Sequence, residues 1–270
     1  MANDLYAYKI TAYDQASLYL IGSGSSKETW RVLFDGGKTS SASHKRTFAP
    51  EASDGTHLYG CREGVPAPKD APPGEHHGTC ELVRSTIARG RIVRLATVER
   101  VLSGSFATDG TTLYWAVLTK DATSDLAEVQ AMPVEGGDIR TLASDDGLRA
   151  IASAGGNVYW ASSGPRGKDA GGGVYRLGKD ESQPRQLAAG PASAVAVSGD
   201  EVFFARSNRI IRIPAAGGDE FLVVKDQLDG KRMSSSFRGI AVTDKDVYFA
   251  TTGKDVNFAT VRRIARPPRL

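Results

Sequence analysis

Six leucine- or valine-aromatic pairs recur along this chain in one register: Leu18-Tyr19, Leu58-Tyr59, Leu113-Tyr114, Val158-Tyr159, Val202-Phe203 and Val247-Tyr248. The aromatics stand 40, 55, 45, 44 and 45 residues apart, and seven positions before each is an alanine: Ala12, Ala52, Ala107, Ala152, Ala196 and Ala241. A period of this length belongs to a small supersecondary unit, one that buries its apolar face only by stacking on its neighbours. The 270 residues, long for one compact domain and conventional for two, therefore reduce to a single array of repeats.

Each repeat reads as four short strands. The first carries the alanine and ends in a tight turn such as Asp54-Gly55, Asp109-Gly110 or Gly199-Asp200, residue types that tolerate the positive φ of hairpins. The second holds the aromatic. The third carries Arg31, Arg84, Arg176, Arg212 or Arg263, with Gln130 in the third repeat. A second turn, often Gly-Gly (Gly36-Gly37, Gly136-Gly137, Gly217-Gly218), precedes the fourth strand. Glycine, at 30 of 270 residues, is in excess because the turns need it. The expected fold is all-β: a six-bladed β-propeller of four-stranded antiparallel blades, about 45 residues each. It forms one domain over residues 1–270, with blades near 9–45, 46–102, 103–146, 147–190, 191–232 and 233–270. Pro267-Pro268 spoils a fourth strand in the last repeat, so Leu5-Tyr6-Ala7-Tyr8, within residues 1–8, is the expected closing strand.

Tyr114-Trp115-Ala116 and Tyr159-Trp160-Ala161, each followed by a third strand and a turn, resemble the repeats of YWTD-type and TolB-like six-bladed propellers. The resemblance spans the chain and implies that fold. Val117, Ser162 and Thr251 stand where the YWTD motif ends in aspartate, so the partner-binding roles of that family do not carry over.

The loop between second and third strands varies where the first turn does not: 5, 18, 9, 10, 2 and 8 residues in the six repeats. Variable loops on a rigid scaffold concentrate function. The longest, Arg62 to Thr79, holds Pro66, Pro68, Pro72 and Pro73 and is bounded by Cys61 and Cys80, the only cysteines. Their counterparts flank a two-residue turn in the fifth repeat, which puts them across neighbouring strands and within reach of a disulfide. Closing such a loop contributes roughly 3 kcal/mol in the chain-entropy model. A zinc site with His76 and His77 is the alternative use of the same cysteines, and free thiols are the third. A disulfide implies an oxidising compartment, hence a secreted or periplasmic protein whose leader is not in this chain; Met1 is not followed by a basic-then-apolar leader.

Three residues before each alanine stand Lys9, Ala49, Gly104, Arg149, Ser193 and Arg238. This position opens the first strand at the mouth of the central channel, on the variable-loop side. Lys9, Arg149 and Arg238 are the candidate ligand-binding residues, since three cations around a channel focus positive potential onto an anion. Solvated side chains at strand starts are the plainer alternative. No cofactor, metal or nucleic-acid partner is expected. Glycine-rich Gly22–Lys27 and Gly164–Lys168 lack P-loop spacing, no Gly-x-Ser-x-Gly elbow occurs, and paired acids at Asp145-Asp146 and Asp244/Asp246 suit turns. The basic run Arg84–Arg100 reads as the outer hairpin of the second repeat, its helical period broken by Gly90. The net charge of +3 owes much to Arg262, Arg263, Arg266 and Arg269 near the C-terminus. No apolar run is long enough for a membrane span. The expected function is non-catalytic binding through the variable-loop face and funnel. A hydrolase or lyase acting there on an anionic substrate is the second reading. A structural component using blade edges or the basic tail is the third.

Overall fold

The computed structural model describes residues 7–13, 17–22, 29–33, 40–41, 48–63, 79–87, 92–102, 104–119, 126–165, 171–225, 237–252 and 259–269. The first repeat forms β1 (Ala7–Tyr13), β2 (Ser17–Gly22), β3 (Thr29–Leu33) and β4 (Ser40–Ser41). The second forms β5 (Ala49–Ser53), β6 (His57–Glu63), β7 (Thr79–Thr86) and β8 (Val93–Glu99); the third β9 (Ala107–Thr108), β10 (Thr112–Leu118), β11 (Leu126–Pro133) and β12 (Arg140–Asp146). The fourth supplies β13 (Leu148–Ala154), β14 (Asn157–Ser162), β15 (Gly173–Leu177) and β16 (Arg185–Ala189), and the fifth β17 (Ala194–Ser198), β18 (Glu201–Arg206), β19 (Arg209–Pro214) and β20 (Phe221–Lys225). The sixth has β21 (Phe237–Val242), β22 (Asp246–Thr252) and β23 (Ala259–Ala265).

All strand pairs are antiparallel, and the repeat register is written in the pairing. Ala12 lies opposite Tyr19, Ala52 opposite Tyr59, Ala107 opposite Tyr114, Ala152 opposite Tyr159, Ala196 opposite Phe203 and Ala241 opposite Tyr248. The first strands pack on one another in succession, and each carries its small alanine opposite the large aromatic of the second strand. In five repeats the third-strand arginine lies opposite the same aromatic, as with Tyr59 and Arg84 or Tyr159 and Arg176. The third repeat departs from expectation: Ala131 faces Tyr114, and Gln130 faces Trp115 one step on.

The second strands are apolar on both faces because each is sandwiched between neighbouring sheets. In β10, Leu113 through Val117 are all buried, and β18 is buried from Glu201 to Ala205. The outer strands β8 and β12 face solvent and carry charge instead, which discourages sheet-to-sheet association. The core lies between sheets. Tyr59, Leu82 and Val98 pack on Phe106, Trp115 and Met132; Tyr114 and Val129 pack on Ile151 and Trp160.

The expectation of six separate blades is corrected. Among the described residues, twenty-three strands form five sheets: four of four strands and one of seven, ordered β21-β22-β23-β1-β2-β3-β4. The sixth and first repeats share that sheet because Ala7 pairs with Ala259. The expected closing strand is not a separate element either: Ala7 and Tyr8 belong to β1, while Leu5 and Tyr6 lie outside the described residues. The first strands pack on one another in succession, β1 against both β5 and β21, so the ring closes. Among the described residues, no helix is long and apolar enough to cross a membrane.

Candidate functional site: the variable-loop face

Antiparallel strands put the first and third connections of each repeat at one end of the sheets and the second at the other. Between strand ends the first connections hold two or three residues throughout, whereas the second hold 6, 15, 7, 10, 2 and 6. The two ends of the ring therefore differ in kind.

At the constant end, the polar residues hold the fold together. In the turn after β5, Asp54 Oδ1 accepts from the Thr56 N–H (2.8 Å), the His57 N–H (2.6 Å) and the Thr56 hydroxyl, and Oδ2 accepts from the Tyr59 hydroxyl at 2.7 Å. Gly55 supplies the φ of +88° this turn needs. The same arrangement recurs at Asp109, with Thr111, Thr112 and Tyr114 as donors and Gly110 at the same φ. Burial alone would raise the Asp54 carboxyl, but the Tyr59, His57 and Thr56 hydrogen bonds outweigh it and hold the group at about 2. Burial and the Asp109 carboxylate push the Tyr114 phenol up to about 12.

Three of the recurring arginines, Arg84, Arg176 and Arg212, are seam ties, a role their spacing did not reveal. Arg84 reaches the next repeat, donating to the Val134 carbonyl and pairing with Glu135. Arg176 likewise donates to the Ala215 carbonyl. Arg212 donates to the Pro268 carbonyl and to Glu201 at 2.9 Å. Glu201, 2% exposed, also accepts from Arg266 at 2.7 Å, and the Arg266 side chain is 3% exposed. Arg266 further donates to Ser198 Oγ and the Thr243 carbonyl and lies over the Phe203 ring. One buried carboxylate thus holds two guanidiniums and anchors the C-terminal segment across the fifth repeat. Arg263 pairs with Asp246 and Arg269 with Asp244, so the basic tail and the second acid pair are engaged within the chain. Asp145, from the first pair, accepts from Trp160 Nε1 at 3.2 Å.

At the variable end, Arg149 and Arg238 occupy matching irregularities of their strands. Leu148 pairs with Ser162 and Ala150 with Ala161, leaving Arg149 between; Phe237 pairs with Thr251 and Gly239 with Ala250, leaving Arg238 between. Such bulges re-aim a side chain. Arg149 is exposed, and its Nε donates to Ser163 Oγ (3.0 Å) at the root of the fourth repeat's loop. Lys9 differs: it is paired directly with Ile21. The side chains of Lys9 and Arg238 lie outside the described residues, so their convergence with Arg149 is not part of the described geometry. A link missed in the sequence joins two sheets nearby: buried Glu51 accepts from the Gly104 N–H.

Cys61 and Cys80 form a disulfide, with Cα atoms 5.5 Å apart. The bond runs diagonally, since Cys61 stands opposite Leu82 and Cys80 opposite Glu63. It takes up both thiols and so corrects the zinc and free-thiol alternatives. The rest of the insertion, residues 64–78 with His76 and His77, lies outside the described residues. Among the described residues, no group of three or more His, Cys, Asp or Glu is placed to hold a metal.

No protein-family model matches the chain, and no curated protein matches it in sequence. Solved structures do match, and they define it as a β-propeller. It is similar to a nidogen/laminin complex chain, 15% identical over 80% of each chain with a TM-score of 0.59. An oligogalacturonate lyase in complex with manganese is 14% identical, over 94% of this chain and 74% of that one (TM-score 0.59). TolB from Acinetobacter baumannii is 11% identical, over 91% and 63% (TM-score 0.57). At these identities the likeness shows the fold alone, one used by binding proteins and enzymes alike.

Proposed function

We propose that this protein is a non-catalytic binding module, one propeller domain over residues 1–270, that holds an anionic ligand or acidic partner loop at the variable-loop face. The observation that carries the reading is the contrast between the two ends of the ring. Connections of two or three residues at one end are occupied by structural ties, while connections of 2 to 15 residues at the other surround the strand starts bearing Arg149 and Arg238. Two matching bulges place Arg149 and Arg238 at equivalent backbone positions, with Lys9 on the neighbouring first strand as the third. The likeness to a nidogen/laminin complex supports protein binding as the task. The disulfide, with the likeness to TolB and nidogen, supports a secreted or periplasmic location.

Calorimetric titration with hexaglutamate at low and physiological salt tests the reading. The wild type binds, more weakly at higher salt. The double variant Arg149→Glu, Arg238→Glu loses at least about tenfold in affinity, equivalent to ~1.4 kcal/mol. Binding that ignores both charge reversals overturns the proposed site.

A further inference from the structure

The seam between the second and third repeats holds an open recess of about 350 Å³. One wall is Val98 and Glu99 at the end of β8 with Arg100 after it; the other is Val117 and Leu118 of β10, Thr119 just beyond it, and Glu128 and Gln130 of β11. The chain turns from one wall to the other at Arg100, whose φ is +57°, and is then tied to β10 by bonds from the Leu118 N–H to the Arg100 carbonyl and from the Leu102 N–H to the Ala116 carbonyl. The recess is therefore framed by backbone pairing, and Val98 stands opposite the disulfide-bonded Cys80.

The repeats supply an internal control. The third-strand residue one step from the seam-tie position is Val83 in the second repeat, Tyr175 in the fourth and Ile211 in the fifth. Val83 and Ile211 are buried, and Tyr175 stacks on Trp160, so these side chains fill their seams. In the third repeat the residue is Gln130, and the seam is open and polar. Gln130 donates to Glu128 at 3.2 Å and Thr141 donates to the same carboxylate at 3.3 Å, which fixes the acid on the wall. Trp115, fully buried opposite Gln130 and packed in one cluster with Val98 and Val117, has an indole Nε1 with no acceptor. Two carboxylates, Glu99 and Glu128, and one guanidinium, Arg100, line the recess together with the apolar Val98, Val117 and Leu118.

We infer that this seam is a binding site for an extended peptide that inserts a lysine or arginine side chain, its aliphatic stem on Val98, Val117 and Leu118 and its cation at Glu128 and Glu99. The volume suits one long side chain, and the two carboxylates of the lining outnumber its one guanidinium. The site is independent of the funnel: it takes a cation where the funnel takes an anion.

The test is ¹⁵N NMR titration of the whole chain with blocked Ala-Val-Lys-Val-Ala and with the same peptide carrying norleucine or glutamate for lysine. The lysine peptide shifts the amides of Arg100, Leu118, Thr119 and Gln130, norleucine does so more weakly, and glutamate does not. Glu128→Gln weakens lysine-peptide binding by at least about tenfold. Gln130→Ile, which copies the residue that fills the fifth repeat's seam, abolishes binding without lowering the melting temperature. Equal binding of the lysine and glutamate peptides, shifts elsewhere on the ring, or binding that survives Gln130→Ile overturns the inference.

Discussion

Asp54 shows how one side chain makes a repeat's turn. Four donors converge on its two oxygens from the loop and from Tyr59, so the carboxylate does locally what a longer backbone turn would do. Asp54→Ala leaves those donors without an acceptor and costs about 1–3 kcal/mol in urea unfolding. The pH dependence has a definite sign. The folded value of about 2 lies below the ordinary 3.8, so the stabilisation is complete above about pH 4 and fades as pH falls toward 2. The difference between wild type and Asp54→Asn shrinks over that interval in acid titrations followed by circular dichroism; a difference constant with pH would contradict this role. The sequence made the turn legible, because Asp-Gly-Thr before an aromatic recurs at Asp109. It left the acceptor role of the aspartate invisible, since Tyr59 returns to it only across the hairpin.

At the level of strands, alternation and register were readable because a first-strand alanine must sit beside its aromatic wherever the same unit is stacked. The arginines were equally visible as a pattern, but their meaning depends on a neighbouring repeat, as with Arg84 and the Val134 carbonyl. The Glu201 cluster was not visible at all: Arg266 lies 65 residues from its partner and outside the repeat. Glu201→Gln leaves two buried guanidiniums under-compensated and lowers stability by about 3 kcal/mol. Arg269→Ala, which removes an exposed pair, changes it by under about 0.5 kcal/mol. Similar losses for both variants would refute the distinction. The Cys61–Cys80 link was legible from two residues flanking one insertion. Reducing it costs about 3 kcal/mol, read as a dithiothreitol-sensitive shift in melting temperature; an unchanged transition on full reduction would contradict that value.

For the whole molecule, six sequence repeats became five sheets because a single backbone pair, Ala7 with Ala259, joins the two ends of the array. Side-chain patterns record which residues face inward; they carry no mark of which strand edge meets which. The recess at the second seam was unreadable for a related reason. Gln130 stood out as a missing arginine, yet what makes it consequential is its place opposite Trp115, where the second, fourth and fifth repeats put a filling residue. The expected funnel residues came from counting positions; Arg149 and Arg238 fall at matching register shifts, and their binding role stands as a proposal.

The join at Ala7 and Ala259 also sets an order of events. Nearly every hairpin can form as soon as its own repeat leaves the ribosome, since its strands are close in sequence. The β23 edge of the first repeat is different: its partner is 252 residues downstream. At a synthesis rate of about 5–20 residues per second, β1 waits roughly 13–50 s for that partner. During that interval β1 keeps open an edge that the finished ring covers, which makes closure of the ring a late step of folding and one open to interception by another nascent copy.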